Sequence, residues 1–290
     1  MEKMVGIRNF RERRRVIQSL NLTSDLLSSV TFEDIISTQE VLRILTGIVD
    51  LRVTRVEPQR SYRNLYGHSS VSDIWAEDSR NRQFNLEIQI ADNEDHLRRS
   101  RFIQSRMDSR SLSSGTEYER MPELYLIFLT KSDFLHIGKG FCEIVRSIRD
   151  MDKEVDNGVH EIYVNLEYPV KDKTMQCLLD FISDTNNPEI CTEGFEHLAE
   201  RVRYLKNDEQ GVRVMCEVLE RERAEGRAEG EMLCLIGQII KKQAKGMESS
   251  EISEQLEEKE FVVSKILVAM AKANSEEPEA VLECLAGSRH

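Results

Sequence analysis

The alternation of apolar and polar residues predicts β-strands in the first third of the chain. The clearest case is the segment 84–90, in which phenylalanine, leucine and isoleucine at the even positions alternate with Asn85, Glu87 and Gln89. In an extended chain these two sets of side chains lie on opposite faces of the sheet. The stretch 71–77 just before it is a second predicted strand, and the polar residues between the two predict a short hairpin connection.

The rest of the first two thirds of the chain predicts a mixed α/β core that ends near residue 210. The run 123–129 is apolar on both faces, which is typical of a strand buried in a sheet between helices. Pro58 and the polar segment 59–70 predict a loop, and the segment 141–149 stays ambiguous. The other predicted strands cover 49–56 and 161–166, and the predicted helices cover 33–47, 94–112, 171–184 and 193–207. For the basic segment 8–19, a helix and a loosely ordered arm both remain open.

The last third of the chain predicts helices only. A stripe of alanine, methionine and isoleucine at four-residue spacing predicts one long helix over about 212–245. Within it, two copies of Arg-Ala-Glu-Gly fill 223–230, and each glycine costs a helix about 1 kcal/mol relative to alanine. A close helix partner, a flexible joint and a solvated linker helix all remain open as explanations.

Two short helices are predicted after Ser249. A helix-turn-helix that binds DNA is one interpretation, but the would-be recognition helix has few cations, so an oligomerisation or partner-binding tail is favoured. The predicted organisation is a basic arm at 1–20, a main domain at 21–210, the long charged helix at 211–245 and a helical tail at 246–290.

Composition narrows the class of protein. The 290 residues are 40% hydrophobic and 32% charged, and no apolar run approaches the roughly 20 residues that cross a bilayer. The arginine-rich N-terminus lacks the apolar segment of a signal peptide, so we expect a cytoplasmic protein without a membrane partner. Six scattered cysteines and six scattered histidines show no zinc-site spacing, which favours reduced thiols.

The formal net charge of −12 argues against a general nucleic-acid-binding protein, because such proteins usually have a basic surface. The arginines are concentrated in 8–15, 52–63 and 98–110, whereas the last third is rich in glutamate. A local basic rim around an acidic site would be compatible with DNA. The alternative is that these arginines only solvate helix faces.

The two predicted strands also carry the candidate chemistry. Asp73 lies on the first, and Glu87 lies on the second, fourteen residues later. Two carboxylates that converge beside a main-chain carbonyl suit a hard divalent ion such as Mg²⁺ or Mn²⁺. The structural alternatives are that Asp73 is a turn or edge-strand residue and that Glu87 lies on a solvated strand face.

This Asp…Glu-x-Gln arrangement resembles the active site of the PD-(D/E)XK nuclease superfamily. More narrowly, it is similar to the transposase-like, recombination-promoting branch, whose third motif is Glu-x-Gln rather than Glu-x-Lys. The resemblance covers about residues 20–230, because further segments follow in the order that this family shows. These segments are 97–108, Gly115-Thr116-Glu117-Tyr118, 124–129, 162–165 and the Arg-Ala-Glu-Gly repeat at 223–230.

The resemblance implies a restriction-endonuclease-like fold, in which a mixed central sheet is flanked by helices, with a C-terminal helical extension. It implies that Asp73, Glu87 and the carbonyl of Ile88 bind Mg²⁺ or Mn²⁺, and that Gln89 orients the attacking water. The implied activity is metal-dependent hydrolysis of DNA phosphodiester bonds by an endonuclease. A supporting role as a further acid is implied for Asp25 or Glu40. Arg101 and Gln104 are implied to contact the phosphate or the metal-binding residues, and a structural role is the alternative for both.

Two further expectations concern partners. A homodimer through the C-terminal helices is expected, because the lines of arginine and glutamate on the long helix would be better satisfied by a second chain. The alternative function is a catalytically inactive nuclease-fold scaffold that binds a partner through its tail.

Overall fold

The computed structural model describes residues 2–62, 70–90, 96–111 and 117–287, and within these it describes the side chains of 10–58, 74–90, 96–111 and 117–286. The helices are α1 Glu2–Ser19, α2 Asp25–Thr31, α3 Ile35–Thr46, α4 His96–Ser111, α5 Lys173–Ser183, α6 Glu196–Asn207, α7 Glu209–Gln243, α8 Ser249–Leu256, α9 Glu260–Ala273 and α10 Pro278–Gly287. The strands are β1 Val53–Tyr62, β2 Ser70–Asp78, β3 Gln83–Gln89, β4 Leu124–Thr130, β5 Phe141–Ile144 and β6 Val159–Asn165, and a 3₁₀ turn covers Tyr118–Arg120.

The described strands form one mixed sheet in the order β1-β2-β3-β4-β6-β5. Strands β2 and β3 pair antiparallel, as the hairpin connection predicted, and β1 also pairs antiparallel with β2. Strands β3, β4 and β6 pair parallel. Strand β5 pairs antiparallel with β6 at the far edge. The predicted α/β class with a mixed sheet is therefore confirmed.

Helices cover the sheet on the faces that the apolar pattern requires. Ile103 and Met107 of α4 pack on one face against Trp75, Phe128 and other buried side chains of the sheet. Helices α2 and α3 lie against β1, and α2 also contacts β2. Strand β4 is buried at every position, which agrees with its apolar pattern on both faces.

Three local predictions were wrong, each for a physical reason. The predicted strand 49–56 begins only at Val53, because Gly47 ends α3 with a positive φ of 71° and the following Val49 is 85% exposed. Pro58 does not break the chain, since β1 is an edge strand in which a missing N–H is tolerated, and it pairs with Ile74. The predicted loop 59–70 is therefore wrong for 59–62, which belong to β1, and for Ser70, where β2 begins, and 63–69 lie outside the described residues.

Three elements were not predicted, namely α2, β5 and α10. Strand β5 has only four residues and no buried one, so its pattern is too short to show a period. Helix α2 is seven residues long and is held by buried side chains such as Leu26 and Leu27. The basic N-terminal arm is helical, and its end packs on the fold through the fully buried Ile17.

The chain divides into two compact units, the first extending to Glu217 and the second beginning at Val218. The first unit includes the start of α7, where Val212, Met215 and Cys216 are buried. The second has its own core, in which Ile236 and Ile239 of α7 pack with side chains from α8, α9 and α10. Residues 223–230 of α7 are all exposed. In the described part of the chain, no helix is both long and apolar enough to span a membrane.

Candidate active site

The candidate site lies on the face of β3 that α4 covers. Glu87 is in register with Phe128 of β4, and Phe128 is in register with Tyr163 of β6, so these three side chains share one face. A neighbouring row on the same face contains Asn85 beside Trp75. Strand β3 thus alternates as predicted, but both of its faces are covered, and Glu87 is 0% exposed rather than solvated.

Glu87 is held by polar groups from its own strand and from α4. Its Oε1 accepts a hydrogen bond from Asn85 Nδ2 at 3.0 Å, and its Oε2 accepts one from Arg99 Nη2 at 2.8 Å. The contact with Arg99 is also an ion pair, and the Arg99 side chain is 35% exposed. A buried carboxylate is costly unless it is paired and hydrogen-bonded, so these donors make the position of Glu87 tolerable.

The backbone brings the other predicted metal-binding positions to the same part of the sheet. The described β2–β3 ladder runs to the pair Ile74–Leu86, and Asp73 and Glu87 are the next residues on their strands. The side chain of Asp73 lies outside the described side chains. Ile88 is buried and lies in register with Leu129.

Gln89 ends β3 at its carboxyl edge. Its main-chain oxygen accepts a hydrogen bond from Lys131 N at 3.2 Å, and its side chain is partly exposed. An amide side chain at the last position of a central strand can reach solvent at that edge.

A second carboxylate under α4 was not predicted as part of this region. Glu161 of β6 accepts hydrogen bonds at Oε2 from Ser100 Oγ at 2.8 Å and from the Tyr163 hydroxyl at 3.1 Å. Burial, more than the neighbouring carboxylate, raises the pKa of Tyr163, so its hydroxyl stays protonated and donates. These polar groups add to the hydrogen-bonded layer between α4 and the sheet.

Asn85 and Arg99 were likewise not predicted as site residues. A signal for Arg99 exists in α4, where the spacing of His96, Ser100, Ile103 and Met107 marks the buried face. Arg99 immediately precedes Ser100 at the margin of that face, where a long cationic side chain can reach a buried acid.

The four candidate supporting residues lie in different surroundings. Asp25 is exposed at the start of α2. Glu40 accepts hydrogen bonds from the backbone N–H groups of His197 at 3.3 Å and Leu198 at 2.8 Å, so it caps the N-terminus of α6. Burial raises the pKa of Glu40, and these two bonds oppose the rise.

Arg101 and Gln104 lie on α4, near Arg99 in sequence. Arg101 is exposed, and Gln104 Nε2 donates to Asp108 Oδ2 at 3.5 Å. Burial raises the pKa of Asp108, and the bond from Gln104 counteracts this rise. The structure therefore gives Glu40 and Gln104 partners other than Glu87, and it leaves Arg101 facing solvent.

The chemistry of the donor groups around Glu87 fits a hard divalent ion. Among the described residues, which leave out the side chain of Asp73, no three His, Cys, Asp or Glu side chains gather as a metal site. Beside Glu87, however, the Oδ1 atom of Asn85 is buried and has no hydrogen-bond partner in the described part of the chain. Buried carboxylate and amide oxygens are ligands that Mg²⁺ and Mn²⁺ accept.

The mixed sheet, the covering helix and the buried acid on β3 define an α/β protein of restriction-endonuclease-like fold. A family model described as PD-(D/E)XK nuclease family transposase matches residues 39–222, more than half of the chain, and the chain belongs to this family. A search of curated proteins found no match, and neither did a search of solved structures. The suspected family is therefore confirmed.

Proposed function

We propose that this protein is a divalent-metal-dependent DNA endonuclease of the transposase-like, recombination-promoting type. The observation that carries the proposal is the fully buried carboxylate of Glu87 on a central strand of a PD-(D/E)XK nuclease family member. If position 87 had only to stabilise the core, an apolar residue would do so at least as well, because a buried ion pair is often no more stabilising than a hydrophobic group.

In the proposed mechanism Asp73, Glu87 and the carbonyl of Ile88 would hold Mg²⁺ or Mn²⁺. When bound, such an ion lowers the pKa of a water and stabilises negative charge on the phosphate. Asn85 and Arg99 hold the Glu87 carboxylate in one orientation through their hydrogen bonds. Gln89, at the open end of the strand, orients the attacking water through its amide, which can accept or donate a hydrogen bond.

The proposed DNA-contacting surface is the outer side of α4. Arg98 and Arg101 are exposed there, and Arg110 is exposed in the last turn. A cluster of arginines on one helix can neutralise phosphates locally even in a chain with a net charge of −12. Among these, Arg101, with Gln104 beside it, is proposed to contact the phosphate backbone.

We further propose that the enzyme acts as a homodimer in the cytoplasm. The exposed segment 223–230 of α7 presents the Arg-Ala-Glu-Gly repeat on all sides and has no packing partner within the described chain. If α7 associates with α7 of a second copy, the line of arginines on one helix would face the line of glutamates on the other. Two active sites in one dimer would suit cleavage of both strands of a duplex.

The proposal is tested by cleavage of supercoiled plasmid with Mg²⁺ or Mn²⁺ and with EDTA. Nicking that requires the metal, and that disappears in Asp73→Ala and in Glu87→Ala, is the expected result. Glu77→Ala is the matched control, because Glu77 is a partly exposed acid on β2 that is expected to leave cleavage unchanged. Cleavage that persists undiminished in both site variants would refute the assignment.

The alternative is a catalytically inactive nuclease-fold scaffold. One observation favours it, namely that the Glu87 carboxylate already pairs with a cation of the chain itself, Arg99. A scaffold predicts a folded protein that neither cleaves plasmid nor binds Mn²⁺ in a calorimetric titration. Metal binding without cleavage would indicate an intact metal site with a different substrate.

A further inference from the structure

The contact between Arg99 and Glu87 places a positive charge where the proposed mechanism needs a metal ion. Arg99 Nη2 lies 2.8 Å from Glu87 Oε2, and the carboxylate is completely buried. The guanidinium belongs to a side chain that is 35% exposed, so it reaches from the surface of α4 to the buried acid. Arginine keeps its charge at any ordinary pH, which makes this compensation permanent in the absence of another cation.

The groups next to Glu87 supply a further oxygen atom of the kind that binds a divalent cation. Asn85 Nδ2 donates to Oε1, whereas the buried Oδ1 atom of Asn85 has no partner in the described part of the chain. The same face of β3 thus carries the carboxylate of Glu87 and the buried amide oxygen of Asn85, and the guanidinium of Arg99 is bonded to this carboxylate. A divalent ion bound to Oε2 would compete with Arg99 for the same oxygen, and the two like charges would repel each other.

We infer that Arg99 is a positioning residue which holds Glu87 in the metal-free protein and must leave Oε2 before a divalent ion binds there. This inference rests on the proposed function, because it assumes that Glu87 is a metal ligand. The partial exposure of Arg99 gives its side chain solvent to move into, so no rearrangement of the sheet is required. Arg99 thereby sets the metal concentration at which the site becomes loaded.

The test is a calorimetric titration of the full chain with Mn²⁺ in the absence of DNA. Arg99→Met and Arg99→Gln remove the competing charge, and they should bind Mn²⁺ at least about tenfold more tightly than the wild type. Arg99→Lys retains the charge and should restore weak, wild-type-like binding. Arg203→Met is the matched control, because it removes an exposed arginine from α6, outside the proposed site and the proposed DNA-contacting surface, and should leave the affinity unchanged.

Thermal unfolding without metal supplies a second measurement. Arg99→Met should lower the melting temperature, since it removes the Arg99 ion pair from the buried Glu87. Saturating Mn²⁺ should raise the melting temperature of Arg99→Met by more than it raises that of the wild type. Arg99→Gln, which can still donate to Glu87, serves if Arg99→Met does not fold.

The outcomes separate this inference from the proposed function. Unchanged or weaker Mn²⁺ binding in both neutral variants, with clear binding by the wild type, would overturn the inference and leave the metal site standing. No Mn²⁺ binding by the wild type and by any Arg99 variant would instead remove the proposed metal site itself.

Discussion

Buried polar residues are the most informative individual residues in this protein. Glu87, Asn85 and Ser100 are inaccessible to solvent, yet each makes a hydrogen bond to a side chain on the same strand or on another element. Such residues stabilise a fold less well than apolar ones do, and they are costly when left unpaired. Their concentration between α4 and the sheet is therefore evidence for a function at that place.

Gln89 is predicted to affect turnover rather than metal affinity. Gln89→Ala should lower plasmid cleavage on the order of a hundredfold, because it removes the group that positions the water. Gln89→Lys should retain or raise activity, since a lysine can also orient the water and adds positive charge. Equal loss of Mn²⁺ affinity in Gln89→Ala and Glu87→Ala would contradict this division of roles.

A second residue-scale prediction concerns Lys206, a lysine that is 1% exposed. Its Nζ donates to Leu20 O at 2.6 Å, Thr185 Oγ1 at 2.6 Å and Asn186 Oδ1 at 2.8 Å. These three acceptors match the three donors of an ammonium group. Burial of the side chain lowers the pKa of Lys206 to about 8. Lys206→Met should lower the free energy of unfolding by about 1–3 kcal/mol, because the three oxygens lose their donor.

This loss should depend on pH in a defined direction. With a folded pKa of about 8 and an ordinary value of 10.5, the unfolded chain binds more protons between these limits. The stability contributed by Lys206 therefore rises with pH between about 8 and 10.5 and stays at its lowest, constant value below about 8. Denaturant unfolding should show a larger effect of Lys206→Met near the upper limit. The exposed Lys173→Met is the control, and a pH-independent difference would contradict the prediction.

At the scale of elements, glycines in α7 have opposite surroundings. A Cβ atom at Gly211 would lie 2.1 Å from the main-chain oxygen of Tyr204 in α6, so the close join of α6 and α7 requires glycine there. A Cβ atom at Gly226 or Gly230 would meet no described atom within 4 Å. A close helix partner within the described chain therefore does not explain the two repeat glycines, whereas a joint, a solvated linker or a second chain still could.

Alanine substitutions should separate these roles. Gly226→Ala and Gly230→Ala should each stabilise the helix by about 1 kcal/mol, because alanine has the higher helix propensity. Gly211→Ala should destabilise the first unit by about 1–3 kcal/mol, since backbone atoms must shift to admit the methyl group. Thermal unfolding followed by circular dichroism measures both effects. A destabilised Gly226→Ala would indicate that this position needs glycine for flexibility or for contact with another chain.

At the scale of the whole molecule, the boundary between the units differs from the sequence-based one. The main domain was predicted to end at residue 210, but Val212, Met215 and Cys216 are buried in the first unit. The long charged helix thus supplies core residues to the first unit at its beginning. It supplies Ile236 and Ile239 to the core of the second unit at its end.

Two truncated chains test this division together with the proposed dimer. Residues 1–220 should fold and be monomeric, whereas residues 1–210 should be less stable by several kcal/mol, because burial of three core side chains is lost. Light scattering should give the full chain twice its 33.6 kDa mass. A monomeric full chain at micromolar concentration would refute the dimer, and equal stability of the two truncated chains would refute the placement of the boundary.

The sequence by itself determined the features that depend on local periodicity. The alternation over 84–90 predicted β3 and the face on which Glu87 lies, and the apolar run 123–129 predicted the buried strand β4. These predictions succeeded because the faces of a strand follow from the positions of its own residues. The ordered motifs also sufficed to identify the family, although they left the roles of individual side chains untested.

Only the tertiary structure decided which residues meet across long separations in the chain. It paired Glu87 with Arg99, directed Glu40 to the N-terminus of α6, and brought Lys206 to the main-chain oxygen of Leu20. No pattern in the sequence associates these residues. Burial of both faces of β3 likewise depended on α4 crossing over the sheet. Such contacts depend on how crossovers bring separate elements together, and no period within a single element contains that information.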